Sequence, residues 1–383
     1  MIAVSKEVGF WDYTCPHHGS LEHYTEADWD VLLDDMAANG FNSLVLGLKW
    51  LTTGYRSRLS WLDQDSDCTA VASPDNKLLH YALQNARKRG IQTWALVVAT
   101  IFQRPYFDLP GGSFYWTPGW SDDFVVFDPD VPGIDEHIDA LFSEVVELFG
   151  AELDGLVVEL EFCDGDAPHR IPIYNEWAAA NNRPDFATIK NIRLEPRGYP
   201  FTHWRDFTTS RRILTLQSVE RTVRSKGFTG KLSSIIEMDN QPMVVMGNVN
   251  LPMLQAALPH WSVVTYDSVY DRARNRVATI DFCVTQPQAL GLEVNFLTRG
   301  VMTFGVTADL VPNLERQWRM SLEDAAAHKP ERLWFMGSDC RLDGWVCSSL
   351  RLPEWGFTDA RTARLRLLQM AGDLYPHSKG ERS

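Results

Sequence analysis

Residues Asp154 to Glu161 read Asp-Gly-Leu-Val-Val-Glu-Leu-Glu, an apolar run carrying two carboxylates, Glu159 and Glu161. Its Val and Leu content is that of a buried β-strand. Burying an unpaired charge costs several kcal/mol unless it is neutralised or partnered, so two on one strand ask for a reason. Residues two apart in a strand share a face. Glu159 and Glu161 therefore project on the side of Val157, roughly 6.5–7 Å apart from a rise of about 3.3 Å per residue. At that range the charge of one raises the pKa of the other, and acid and base work can be divided between residues of one type.

Other reactive or binding groups fall at the ends of apolar runs. Phe10-Trp11-Asp12-Tyr13 leads into Cys15-Pro16-His17-His18, and Lys49-Trp50 closes a second run. Gln103 and Arg104 follow a third, while Glu237-Met238-Asp239 and Tyr266-Asp267 close two more. Asn295, Thr298 and Arg299 belong to a seventh run, and Ser338-Asp339 follows an eighth. Glu161, Asp267, Glu159, Glu237 and Asp239 are the candidate catalytic carboxylates. Trp11, Asp12, His17, His18, Lys49, Trp50, Arg104, Trp116, Tyr266, Asn295 and Arg299 are the candidate substrate-binding residues.

The elements that must position these groups alternate strand and helix from end to end. Strands are expected at 2–10, 42–49, 92–100, 153–161, 231–237, 262–266, 292–297 and 332–336. Helices are expected at 25–39, 76–89, 133–149, 204–225, 251–257, 278–290, 314–327 and 359–374. Thr25 is the expected N-cap of the first helix and Gly40 its close. Eight such units are the count of an α/β (β/α)8 TIM barrel. The helix-to-strand links are short, whereas the long loops follow strands three and four. Such loops lie on the C-terminal face of a barrel, where active sites are built. A single barrel domain over 1–376 and a loose tail over 377–383 are expected. The rival open sheet would need a Gly-rich phosphate loop, and no GxGxxG or GxxxxGK[ST] occurs.

Bulk properties narrow the partners. A net charge of −14 argues against nucleic acid or an anionic membrane, both of which call for basic surface. No apolar run reaches a bilayer span, and the N-terminus lacks the pattern of a secretory signal. Six cysteines without CxxC spacing read as reduced thiols, and the expected location is the cytoplasm. Phe102, Tyr106, Phe107, Phe114, Tyr115, Trp116 and Trp120 crowd the loop after strand three. They suit either a stacking wall for a ligand or a small core for the loop itself.

His17-His18 raises a metal, but adjacent side chains diverge and strands five to eight end without histidine. A metal site gathers ligands from several strands, so no metal or cofactor is expected, and a ligand hydrogen-bond donor is the better role for the pair. There is no GxSxG elbow, and the acidic neighbours of Cys163 suppress a thiolate.

The strand-four motif resembles glycoside hydrolase family 18, the chitinase-like barrels, which carry Asp-Gly-x-Asp-x-Asp-x-Glu there. This chain keeps the Asp154-Gly155 start and the final Glu161, with Glu159 in place of the last Asp and Val157 in place of an inner one. Val264-Thr265-Tyr266-Asp267 is similar to the family's Met-x-Tyr-Asp on strand six. The resemblance implies a glycoside hydrolase acting on an oligo- or polysaccharide, with Glu161 as general acid/base and Glu159 tuning it. The two departures touch substrate-assisted N-acetyl chemistry, so the implied relative is a distant glycosidase barrel rather than a chitinase. Asp267, Glu237 or Asp239 would be the second carboxylate, and Trp11, Trp50 and Tyr266 would hold the sugar. Two other readings are a non-catalytic carbohydrate-binding barrel and a metal-dependent hydrolase or lyase.

Overall fold

The structure, a computed structural model, describes residues 7–15, 21–62, 64, 66–103, 109, 124–127, 129–160, 168–190, 202–236, 249–266, 276, 280–301, 314–339 and 356–374. Eight strands form a closed, all-parallel barrel: β1 (Glu7–Tyr13), β2 (Ser43–Lys49), β3 (Gln92–Val98), β6 (Gly155–Glu159), β7 (Lys231–Ile236), β8 (Ser262–Tyr266), β9 (Glu293–Arg299) and β10 (Arg332–Met336). A two-stranded antiparallel hairpin, β4 (Ile101–Gln103) with β5 (Phe124–Val126), stands apart after β3. The helices are α1 (Glu26–Ala38), α2 (Thr69–Ala72), α3 (Lys77–Lys88), α4 (Ile134–Phe149), α5 (Arg170–Ala180), α6 (Phe186–Ile189), α7 (Thr202–Ser225), α8 (Leu251–Ala257), α9 (Gln286–Ala289), α10 (Leu314–His328) and α11 (Ala360–Leu374). This is the (β/α)8 barrel expected from the strand count.

Local signals explain the boundaries. Thr25 caps α1 in a reciprocal box with Asp28, and Gly40 turns the chain out at φ 77. The first strand runs to Tyr13 rather than ending at Phe10, because its pairing with β2 continues to Tyr13↔Gly47. Gly47 makes room for this, since a Cβ there would stand 2.1 Å from the Tyr13 ring. The third strand stops at Val98, not Thr100, and the chain turns at once into the hairpin. The seventh strand reaches Arg299, beyond Leu297, where it still pairs with Met336. The expected strand residues 2–6 and the expected tail lie outside the described residues.

The barrel interior is layered. Trp94 on β3 meets Trp334 on β10 at 5.4 Å between rings. Those strands are not neighbours in the sheet, so the contact crosses the interior. Trp11 on β1 meets the same Trp334 at 5.8 Å. Beneath this aromatic layer, at the N-terminal end, sits Arg332, 0% exposed. Its guanidinium lies 4.6 Å over the Trp94 ring. It donates to both Glu7 carboxylate oxygens at 2.6 and 3.1 Å, to Asn295 Oδ1 at 2.9 Å and to Glu293. Asn295 in turn donates to Ser233 Oγ at 3.1 Å and Ser262 Oγ at 3.0 Å. Arg332, Glu7, Asn295, Ser233 and Ser262 thus each have a partner, which is the condition for burying them.

Removing one member of a buried ion pair strands the other. Arg332→Met is expected to lower the unfolding free energy by about 3–5 kcal/mol in urea titration, and a loss below about 1 kcal/mol would contradict the pairing. Burial acts to raise the Glu293 carboxyl, but hydrogen bonds and charge from Arg332 and Lys231 outweigh it and hold it below the ordinary 4.5. A depressed carboxyl stabilises the fold above its unfolded value and loses that contribution as pH falls through the folded one. The urea midpoint should therefore drop as pH falls below 4.5, and drop less in Glu293→Gln. Equal slopes in the two proteins would remove Glu293 from the account.

Candidate active site at the C-terminal rim

The period of two assigns each strand an inner and an outer face. On β6, Gly155 fixes the parity: a Cβ there would come 2.3 Å from the Trp94 ring, inside the barrel. Val157 and Glu159 share that side. Glu159 is the last residue of β6, at the C-terminal rim, and only 8% exposed. Its carbonyl accepts from Ala99 N at 2.8 Å, which ties the start of the β3 loop to the end of the fourth barrel strand.

Lys49 ends β2 on the inner face. It is 0% exposed, lies 4.1 Å over the Phe102 ring, and donates from Nζ to Val98 O at 2.8 Å and to Ile101 O. Its ammonium therefore holds the turn from β3 into the hairpin. Phe102 packs on Trp61 and Phe127 at 5.7 and 5.9 Å, so this loop aromatic serves the loop's own core. Tyr266 ends β8, half-buried on the inner side. Lys49, Glu159 and Tyr266 are thus brought to one rim. Arg299 is the last residue of β9. Trp50 opens the loop after β2, buried, with its N–H on Thr52 O at 3.1 Å.

Three sequence candidates have different surroundings from those expected. Asn295 stands at the opposite, N-terminal end, hydrogen-bonded to Ser233, Ser262 and Arg332. This corrects its expected place beside a substrate: the third residue of a seven-residue strand cannot reach the rim. Trp11 is fully buried in the interior aromatic layer. Asp12, fully buried, accepts from Ser338 N and Oγ at 2.7 and 2.6 Å and from Tyr13 N at 2.8 Å, which closes the seam between the first and last barrel strands. Glu161, Asp267, Glu237, Asp239, His17, His18, Arg104 and Trp116 lie outside the described residues.

The polar groups that brace this rim carry no local signature along the chain. Arg364 on α11 donates to Ser338 O at 3.2 Å and to Asp35 at 2.9 Å, and the Tyr24 hydroxyl donates to Asp339 at 2.5 Å. Burial, reinforced by the charge of Asp339, pushes the Tyr24 phenol well above its ordinary value, so it stays a donor. Glu144 on α4 accepts from Tyr55 Oη, Ser57 Oγ and Arg58 N at 2.9, 2.5 and 2.6 Å, clamping the loop after β2. Arg212 on α7 donates to Ile235 O and Leu160 O, both at 3.3 Å. Among the described residues no group of three or more His, Cys, Asp or Glu could hold a metal ion. Cys15, Cys68 and Cys283 are buried, with the Cys68 thiol donating to Thr14 O at 3.2 Å, and no described helix is long and apolar enough to cross a membrane.

No protein-family model matches the sequence, and comparison with curated proteins finds no match. Solved structures do match in fold. The β-galactosidase from the psychrophilic Marinomonas ef1 aligns at TM-score 0.60 and 9% identity, over 95% of this chain and 59% of that one. The PgaB (BpsB) glycoside hydrolase domain from Bordetella bronchiseptica aligns at 0.56 and 12% identity, over 86% and 94%. An endocellulase from Pyrococcus horikoshii aligns at 0.55 and 10% identity, over 96% and 91%. These neighbours are glycoside hydrolases of several kinds, and what this chain shares with them is the barrel. It spans only 59% of the length of the Marinomonas chain.

If Lys49 braces the β3 turn, Lys49→Met leaves the Val98 and Ile101 carbonyls without their donor. The expected cost is about 1–3 kcal/mol of stability, with faster hydrogen exchange at the amides of 99–103. Unchanged exchange there would show that the ammonium does not hold the turn.

Proposed function

We propose that the protein is a glycoside hydrolase acting on an oligo- or polysaccharide through carboxylate general acid/base catalysis. The observation that carries this is Glu159: a carboxylate nine-tenths buried on the inner face of the fourth barrel strand, at the end where barrel enzymes build their sites. Glu161 follows two residues on in the sequence and is assigned as the acid that protonates the leaving oxygen. Asp267, Glu237 or Asp239, with Asp267 first, is assigned as the second carboxylate that stabilises or captures the oxocarbenium-like centre. Glu159 is assigned to raise the pKa of Glu161 by like-charge repulsion. Glycoside hydrolases among the fold neighbours favour the reading, but fold alone does not fix function.

A panel of aryl glycosides and oligosaccharides tests it. Glu161→Gln should lower kcat by about 10²- to 10⁴-fold on whichever substrate the wild type turns over. Equal turnover by both proteins rules the assignment out. Glu159→Gln removes the repelling charge, so the acid should lose its proton at lower pH. The basic limb of the kcat/KM profile should then move down by about one pH unit; an unmoved limb removes Glu159 from its tuning role. Binding of sugars without any turnover would make the protein a carbohydrate-binding barrel instead.

A further inference from the structure

The fourth and fifth barrel strands separate before they end. Their last register pair is Val158↔Ser234, although β6 continues to Glu159 and β7 to Ile236. Carbonyl oxygens beyond the last pair need other donors. Arg212 meets two of them at once: Nη1 donates to Ile235 O and Nη2 to Leu160 O, each at 3.3 Å. The residue is 6% exposed and reaches the rim from α7, which lies outside the barrel with Leu216, Val219 and Val223 buried. A planar guanidinium fits this task because its N–H groups form a rigid fork. A lysine ammonium gathers two carbonyls only where they converge on one point, as they do at Lys49.

Both tethered strands run into acidic residues. Leu160 is bonded to Glu161, and Ile235-Ile236 precedes Glu237. Other charges on the elements packed nearby are matched: Arg170 and Arg211 both pair with Asp130, and Arg183 pairs with Asp206, which also accepts from Asn250. Glu159 is the carboxylate on β6 itself.

We propose that Arg212 is a positioning residue of the hydrolase site: it fixes the end of the fourth barrel strand against the end of the fifth. This rests on the glycosidase reading above. In such enzymes the spacing of two carboxylates decides between direct displacement by water and a covalent intermediate, so a tether between their strands acts on the reaction through geometry.

The test compares Arg212→Met and Arg212→Lys with wild type on a glycoside that the wild type turns over. Arg212→Met should lose about 10²-fold in kcat with KM held within about threefold, the penalty of a small misplacement. Arg212→Lys keeps the charge but not the planar fork, so its kcat should also remain reduced at a KM close to wild type. A kcat within twofold of wild type in Arg212→Met would overturn the proposal. Should Arg212→Met not fold, Arg212→Lys decides: wild-type kcat overturns the tether, and reduced kcat at a KM within about threefold supports it. If the wild type turns over no glycoside, the functional reading fails separately. Hydrogen exchange still judges the tether, since either variant should exchange faster at 158–160 and 234–236, and unchanged exchange overturns it.

Discussion

Arg332 carries a full positive charge with none of its own surface exposed, and the N-terminal end of the barrel is arranged around that fact. Glu7 from the first strand, Glu293 and Asn295 from the seventh, and the face of Trp94 from the third all turn toward it. Asn295 passes the network on to Ser233 and Ser262. Strands from most of the circumference are therefore joined by one network. Such a network is weak support for stability in itself, because desolvation takes back much of the attraction. Its worth is specificity: a strand slipped by one residue would turn its inner set outward and leave the guanidinium unmatched. The tryptophan layer rests on this base, and the rim rests on the tryptophans.

At the other end the same chemistry is used in a different form. Parallel strands that stop pairing leave carbonyl oxygens pointing toward the loops, and three cations gather them. Lys49 takes those of Val98 and Ile101, Arg212 those of Leu160 and Ile235, and Arg364 that of Ser338. Charge placement at the two ends thus differs in purpose. Below, it selects one register, and above, it shapes the ends of strands.

Much of the fold could be read from the chain because it depends on short-range signals: Thr25 and Gly40 bracket the first helix, and glycine breaks follow α3 and α4. The strand ends were harder. Tyr13 extends the first strand only because Gly47 on the neighbouring strand has no side chain to obstruct it, and that fact belongs to a pairing rather than to either segment. The hairpin after Val98 was missed because Ile101–Gln103 and Phe124–Val126 are far apart in sequence and short. Glu159 was legible as an inner-face carboxylate from the period of two alone. Asn295 lies low in the barrel because its strand runs on to Arg299, beyond the expected end at 297. Asp12 and Arg212 act through partners that come from the far end of the chain or from another layer, and no local pattern announces such pairings.

The β4–β5 hairpin has a consequence for how this architecture can vary over evolutionary time. Its two short strands bring residues 103 and 124 into register, and Lys49 and Phe102 anchor its base to the barrel. The entropy of joining the two ends of the intervening segment is thereby met at the hairpin, whatever lies between them. Doubling the length of a flexible loop adds only about 0.6 kcal/mol to its closure. The chain between residues 103 and 124 can thus change in length at little cost in closure entropy, while Leu109 keeps one hold on the core.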